Sequence, residues 1–169
     1  ECRRRNIPTI FYNKEDPVHF SRFSKTSAMF DQVFTTDENC IPKYKALKDS
    51  NIRDVDYIRF AAQPEFHHQN NTDFSNRKGI AFAGTYYAGK YPDRCQKMDL
   101  LFDACPKDEL VLYDRQSDGG NPQYVFPERF ADNLLPKLEY GEMLQKHRDH
   151  KIFLNVNSVE DSRTMVARR

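Results

Sequence analysis

This sequence predicts an α/β protein made of two parallel-sheet units, and three observations predict it. Short apolar or β-branched runs recur along the 169 residues. Stretches of helical periodicity separate them, and one polar stretch at 65–78 interrupts the alternation before it restarts. Strands that alternate with helices pair in parallel, because the helix supplies the crossover that a parallel pair needs.

The first strand is expected over 7–12, an apolar and β-branched run that ends in the polar loop Asn13-Lys14-Glu15-Asp16-Pro17. A helix over 21–30 follows, then a strand over 31–36 closed by Asp37-Glu38-Asn39. The next helix spans 42–47, with Pro42 in a first turn where its missing N–H costs nothing. A third strand is expected over 55–60. The stretch 65–78, with His67-His68, Asn70-Asn71, Asp73, Ser75 and Asn76, reads as a linker. Beyond it come a strand over 79–84 and a helix over 92–104, in which Met98, Leu101 and Phe102 recur at helical spacing. A strand over 109–113, a helix over 140–150, a strand over 151–156 and a helix starting at Met165 complete the series. The expected division is 1–64, linker 65–78, and 79–169.

Charge excludes one function class. With 26 basic and 25 acidic residues the net charge is +1, which gives no global attraction to nucleic acid. No apolar run approaches the ~20 residues of a membrane span. Cys2, Cys40, Cys95 and Cys105 lack the two-residue spacing of a zinc or redox pair, so free thiols and a cytoplasmic location are expected. His67-His68 has no companion ligands, and neither a metal nor a prosthetic group is expected.

Ligands of parallel sheets collect beyond the carboxyl ends of the strands, which directs attention to four loops. In "KGIAFAGTYYAGKYPDR" a strand breaks at Gly84-Thr85 and a helix begins near Pro92, with Arg94 in its first turn. Glycine admits a close phosphate approach, and a helix N-terminus favours negative charge. A plain turn also accounts for a single glycine. In "LVLYDRQSDGG", Tyr113 could stack on a base, Asp114 bind a hydroxyl and Arg115 hold a phosphate. The plainer alternative is a surface ion pair beside a buried Tyr. In "FLNVNSVEDSRTMVARR", Ser158, Ser162 and Thr164 surround a helix start with Arg163 and Arg168 nearby, which fits a diphosphate or an N-cap. In "FYNKEDPVHF", Glu15, Asp16 and His19 are the acid–base candidates, with ordinary surface as the alternative.

Five stretches carry a resemblance: "IPTIFYNKEDPVHF", "FDQVFTTDENCIPKYKAL", "FAAQPEFH", "KGIAFAGTYYAGKYPDR" and "FLNVNSVEDSRTMVARR". In this order, over nearly the whole chain, they resemble the CgeB-type, spore-maturation-like family of glycosyltransferases, related to the retaining group-one transferases. The resemblance implies a partial GT-B architecture of two Rossmann-like lobes joined by a linker. Residues 1–64 then match the later part of the N-terminal, acceptor-side lobe, and 79–169 the first part of the donor lobe.

Gly84-Thr85 matches the family's glycine turn facing the donor, Ser162-Arg163-Thr164 the helix start near the diphosphate, and Arg168-Arg169 an Arg pair. Asn13-Lys14-Glu15-Asp16 matches a first-lobe loop facing the cleft. With the loop reading, the expected donor side is Gly84, Thr85, Arg94, Tyr113, Asp114, Arg115, Ser158, Ser162, Thr164 and Arg168, and the acceptor side is Asn13, Glu15 and Asp16.

The implied substrate is a UDP- or GDP-type nucleotide-diphosphate sugar, and the acceptor is a glycan, protein or other molecule. Cell-surface, spore-coat or polysaccharide glycosylation is the implied setting. The family continues past the Arg pair into an acidic residue that by analogy binds ribose. The expectation is therefore a partial sequence that binds its donor weakly alone. The rival expectation is a non-catalytic carbohydrate- or partner-binding module.

Overall fold

The computed structural model describes residues 1–67, 74–159 and 162, and among these every strand pair is parallel. The chain is mixed α/β with two separate sheets, one three-stranded and one four-stranded. By contact it divides into Glu1–Ala61, with Val159 and Ser162 grouping there, and Ala62–Ser158.

The first unit holds β1 (Ile10–Asn13), α1 (Phe20–Ser27), β2 (Gln32–Thr35), α2 (Ile41–Lys45) and β3 (Asp54–Tyr57), with its sheet in the order β1-β2-β3. Phe11, Val33 and Val55 are in register and therefore share one face of the sheet. Val33, Cys40, Tyr44 and Val55 form the buried core there, with Phe11, Phe20, Ile41, Leu47 and Ile52 packed around them. β1 starts at Ile10, not at residue 7, for a local reason. Pro8 has no N–H, and Thr9 directs its N–H and hydroxyl to the Asp31 carboxylate at 2.9 and 2.7 Å.

The second unit holds β4 (Ile80–Gly84), α3 (Pro92–Asp103), β5 (Leu110–Asp114), β6 (Leu134–Leu135), α4 (Tyr140–Asp149) and β7 (Ile152–Phe153). Its sheet runs β6-β5-β4-β7. Both faces are covered, and the side chains alternate accordingly. Phe82, Leu110 and Leu112 pack with Met98 and Phe102 of α3 and with Phe126 and Phe130. Ala81, Ala83 and Tyr113 face the other way, with Met143 of α4, Leu138 and Phe153 packed against them. The two alanines leave room for a close helix on that side. Burying a side chain such as Phe102 or Met98 stabilises the fold by about 2–3 kcal/mol each.

Expected elements recur with shifted ends. The strand expected over 151–156 keeps ladder pairing only at Ile152–Phe153, although Leu154 N–H still reaches Ala81 O at 2.7 Å. Val156 then turns into the core. The 3-10 helix Glu128–Asn133 and the two-residue β6 carry no periodicity long enough to predict. The described parts of the expected linker are tied into the second unit: Lys78 N–H donates to Asp149 O at 3.0 Å, and the Tyr140 hydroxyl meets His67 Nε2 at 3.0 Å. The helix expected from Met165 lies outside the described residues.

Gly79 opens the central strand with φ +61°, and a Cβ there would stand 2.6 Å from Glu109 O. Gly79→Ala combines a left-handed backbone with a clash against main chain. It is expected to lower stability by about 2 kcal/mol or more, read as a lower urea midpoint by circular dichroism.

Candidate functional site

The sheet order of the second unit fixes where a ligand would find an opening. The chain builds outward from β4 to β5 and β6, then returns to lay β7 on the other side of β4. Between β4 and β7 successive connections diverge, and such a switch point leaves a crevice beyond the carboxyl ends of the strands. The segments that border it are the loop leaving β4, which begins at Thr85, and the stretch from Leu154 to Ser158 leaving β7.

Several expected residues meet at this edge. Gly84 pairs with Asp114 in the β4–β5 register, and Arg115 N–H donates to Gly84 O at 3.0 Å. Thr85 is buried, with Oγ1 accepting from Gln116 Nε2 at 3.3 Å. Asp114 Oδ1 accepts from Gln116 N–H at 2.8 Å, a turn that directs the chain off β5. Arg115 is exposed, and its guanidinium has no partner among the described residues. Ser158 is exposed at the end of the β7 segment. Beside the α3 N-terminus the Tyr87 ring contacts those of Tyr91 and Tyr124, and Lys90 Nζ lies 5.7 and 5.2 Å from the Tyr87 and Tyr91 centroids. Sequence reasoning missed this aromatic group and Gln116; the Tyr-Tyr-x-x-x-Tyr spacing in the glycine loop was the available signal.

Other donor-side expectations need correcting. Tyr113 does not offer a face to a base, because it is buried on the α4 side and its hydroxyl meets His150 Nε2 at 3.1 Å. Arg94 does not reach outward. It is 8% exposed, with Nε donating to Val156 O at 3.1 Å and Nη1 to Thr85 O at 2.8 Å. Burial lowers its pKa from the ordinary value. Ser162 Oγ donates to Asp37 Oδ1 in the first unit at 2.9 Å. Thr164 and Arg168 lie outside the described residues.

At the carboxyl edge of the first sheet the acceptor-side expectations divide. Asp16 is 0% exposed. Its Oδ2 accepts from Thr35 Oγ1 and from the Tyr44 hydroxyl, both at 2.7 Å, and Oδ1 accepts from Asn13 Nδ2 at 2.8 Å. Asn13 Nδ2 also donates to the Tyr44 oxygen at 2.8 Å, and Asn13 Oδ1 accepts from Glu15 N–H at 3.1 Å. Burial raises the Asp16 pKa, opposed by the bonds from Thr35 and Tyr44. Asn13 and Asp16 are thus members of a sealed polar network, not acceptor ligands or a catalytic base. Burial pushes the neighbouring Cys40 thiol up to about 12, which makes it inert as a nucleophile. Glu15 and His19 remain at the surface, Oε2 to Nε2 4.0 Å apart and each nearly half exposed. Among the described residues no group of three or more side chains could hold a metal ion.

Two measurements follow from these networks. Asp16→Ala would remove the acceptor shared by Asn13, Thr35 and Tyr44 and leave the buried Tyr44 hydroxyl with none, and is expected to cost about 3 kcal/mol of stability in urea unfolding. His150 is held below its ordinary 6.5 by burial, with Lys78 O 3.2 Å from Nδ1 and the Tyr113 hydroxyl at Nε2. A depressed histidine contributes stability that is fully present above about pH 6.5 and is lost as pH falls through its folded pKa. The stability difference between the protein and His150→Gln should therefore shrink from pH 7.5 to pH 5; a difference independent of pH would show that this tie is not made.

Comparison of the chain with protein-family models, with curated proteins and with solved structures finds no match, and the functional reading rests on the geometry above and the motifs that led to it.

Proposed function

We propose that the carboxyl edge of the second sheet binds the diphosphate of a nucleotide sugar, and that the protein is a glycosyltransferase of GT-B type. The observation that carries the reading is the reversal of strand order between β4 and β7. It lies beside the Gly84-Thr85 turn and the exposed Arg115, whose guanidinium has no partner among the described residues. Sugar transfer from a nucleotide diphosphate accumulates negative charge on the leaving group. A free guanidinium and a helix N-terminus stabilise that charge without a metal. The half-buried Tyr87, Tyr91 and Tyr124 supply aromatic surface for the ring systems of such a donor. The five-motif resemblance supplies the reaction class, with UDP or GDP as the nucleotide and a glycan or protein as acceptor.

The second reading is a non-catalytic carbohydrate- or partner-binding module. The commitment of Asp16 to the fold favours it, since only Glu15 and His19 remain of the three acid–base candidates.

Titration calorimetry with UDP and GDP tests the proposal. One of the two should bind, and Arg115→Ala should weaken that binding about 10-fold or more, the loss of one charge-assisted contact. Release of the nucleotide from its sugar donor in the presence of glycan acceptors would mark the transferase. Glycan binding without nucleotide binding would mark the module.

A further inference from the structure

Arg94 occupies the third position of α3, where a cation is commonly read as a phosphate ligand. Its surroundings assign it a different task. The guanidinium lies 5.5 Å from the Tyr87 centroid and 6.0 Å from that of Phe82, on a residue only 8% exposed. It donates to Thr85 O, the first residue beyond β4, and to Val156 O, three residues beyond β7. Those carbonyls belong to the two segments that border the switch point. The strands themselves do little to hold these segments together. β4 and β7 pair only at Ile80↔Ile152 and Ala81↔Phe153, with one further bond from Leu154 N–H to Ala81 O. Past that bond, Arg94 joins the β7 segment to the β4 loop by hydrogen bonds, beside the packing of Val156 in the core that holds Tyr86.

The direction of the bonds matters as much as their number. Parallel strands present carbonyl oxygens at their carboxyl ends, and unpaired carbonyls repel an anion. Arg94 turns two such oxygens toward its own positive charge. The planar guanidinium fork can serve two acceptors at fixed angles, which a single ammonium cannot do in the same geometry.

We infer that Arg94 is a positioning residue: it staples the segments leaving β4 and β7 and masks their carbonyls, so that the crevice between them is preset for an anionic ligand that Arg94 does not itself touch. The consequence for affinity rests on the diphosphate-site reading above, whereas the staple does not.

The test uses the full chain and the variants Arg94→Met and Arg94→Lys, with hydrogen exchange by mass spectrometry and titration of UDP and inorganic pyrophosphate. The expected result is a joint loss of protection, about 10-fold faster exchange, in peptides covering 84–91 and 154–158, with Leu110–Asp114 unchanged. Ligand affinity should fall about 10-fold in both variants, because Lys keeps the charge but not the fork. Retention of near-normal affinity by Arg94→Lys would identify a direct charge contact and overturn the inference. So would faster exchange confined to one of the two segments. If the unaltered protein binds neither UDP nor pyrophosphate, the diphosphate reading fails, and the exchange pattern alone decides the staple. Should Arg94→Met unfold, Arg94→Lys carries both readouts.

Discussion

The second unit depends on β4, one of its two inner strands. Ile80–Gly84 bonds β5 along one edge and β7 along the other, and it buries Phe82 toward α3 and Ala81 and Ala83 toward α4. A strand so enclosed must be apolar throughout, and Ile-Ala-Phe-Ala-Gly is. It must also enter without disturbing its neighbours. That demand explains Gly79, whose carbonyl accepts from Lys151 and Ile152 while Glu109 O presses on the position of its absent Cβ. The same central placement creates the opening. The chain leaves β4 toward β5 on one side and returns through α4 to lay β7 on the other, and this divergence leaves the carboxyl end between β4 and β7 uncovered.

The two sheets treat their carboxyl edges in opposite ways. In the first, polar residues at and after the ends of β1 and β2 turn inward and meet Tyr44 of α2: Asn13, Asp16, Thr35 and Tyr44 close a network around a carboxylate with no solvent exposure. A buried carboxylate with three donors is costly to assemble and costlier to break, so it fixes how α2 sits on the sheet. In the second, the end of β5 remains partly open, with Asp114 half-buried and Arg115 beyond it exposed. Chemically similar loops therefore divide into one that specifies structure and one that is free to meet a ligand.

What the sequence reveals follows the range of the interactions involved. Strands and helices are legible because their signals are local: the alternation of Leu110 and Leu112 with Val111 and Tyr113, or the spacing of Met98 and Phe102. The meeting of Gly84 with Asp114 and Arg115 is legible too, since residues at the ends of parallel neighbours must gather. The roles of Asp16 and Arg94 are not. Asp16 finds its partners 19 and 28 residues away, and Arg94 reaches Val156 across 62. Residue type proposes a base and a phosphate ligand at those positions, and only the folded arrangement shows that their bonds are already made. Tyr113 is a related case. Its alternation with Leu112 is evident, but which face α4 covers depends on a helix 27 positions later.

Arg94 and Arg115 show how burial assigns different work to one side-chain type. A guanidinium is hard to neutralise, so one that is removed from water must find acceptors, and at the carboxyl ends of strands the acceptors at hand are backbone carbonyls. Arg94 meets that requirement with Thr85 and Val156 and thereby becomes part of the frame. Arg115, one residue past β5 and exposed, is under no such demand; water satisfies it until a stronger acceptor arrives. The proposed anion site would use both kinds. There the buried cation would mask two carbonyls and hold the walls, and the exposed cation would retain its capacity to bind. Moving Arg115 inward would give up its capacity to meet an anion, and moving Arg94 outward would break its bond to Val156 O in the segment that bears Ser158.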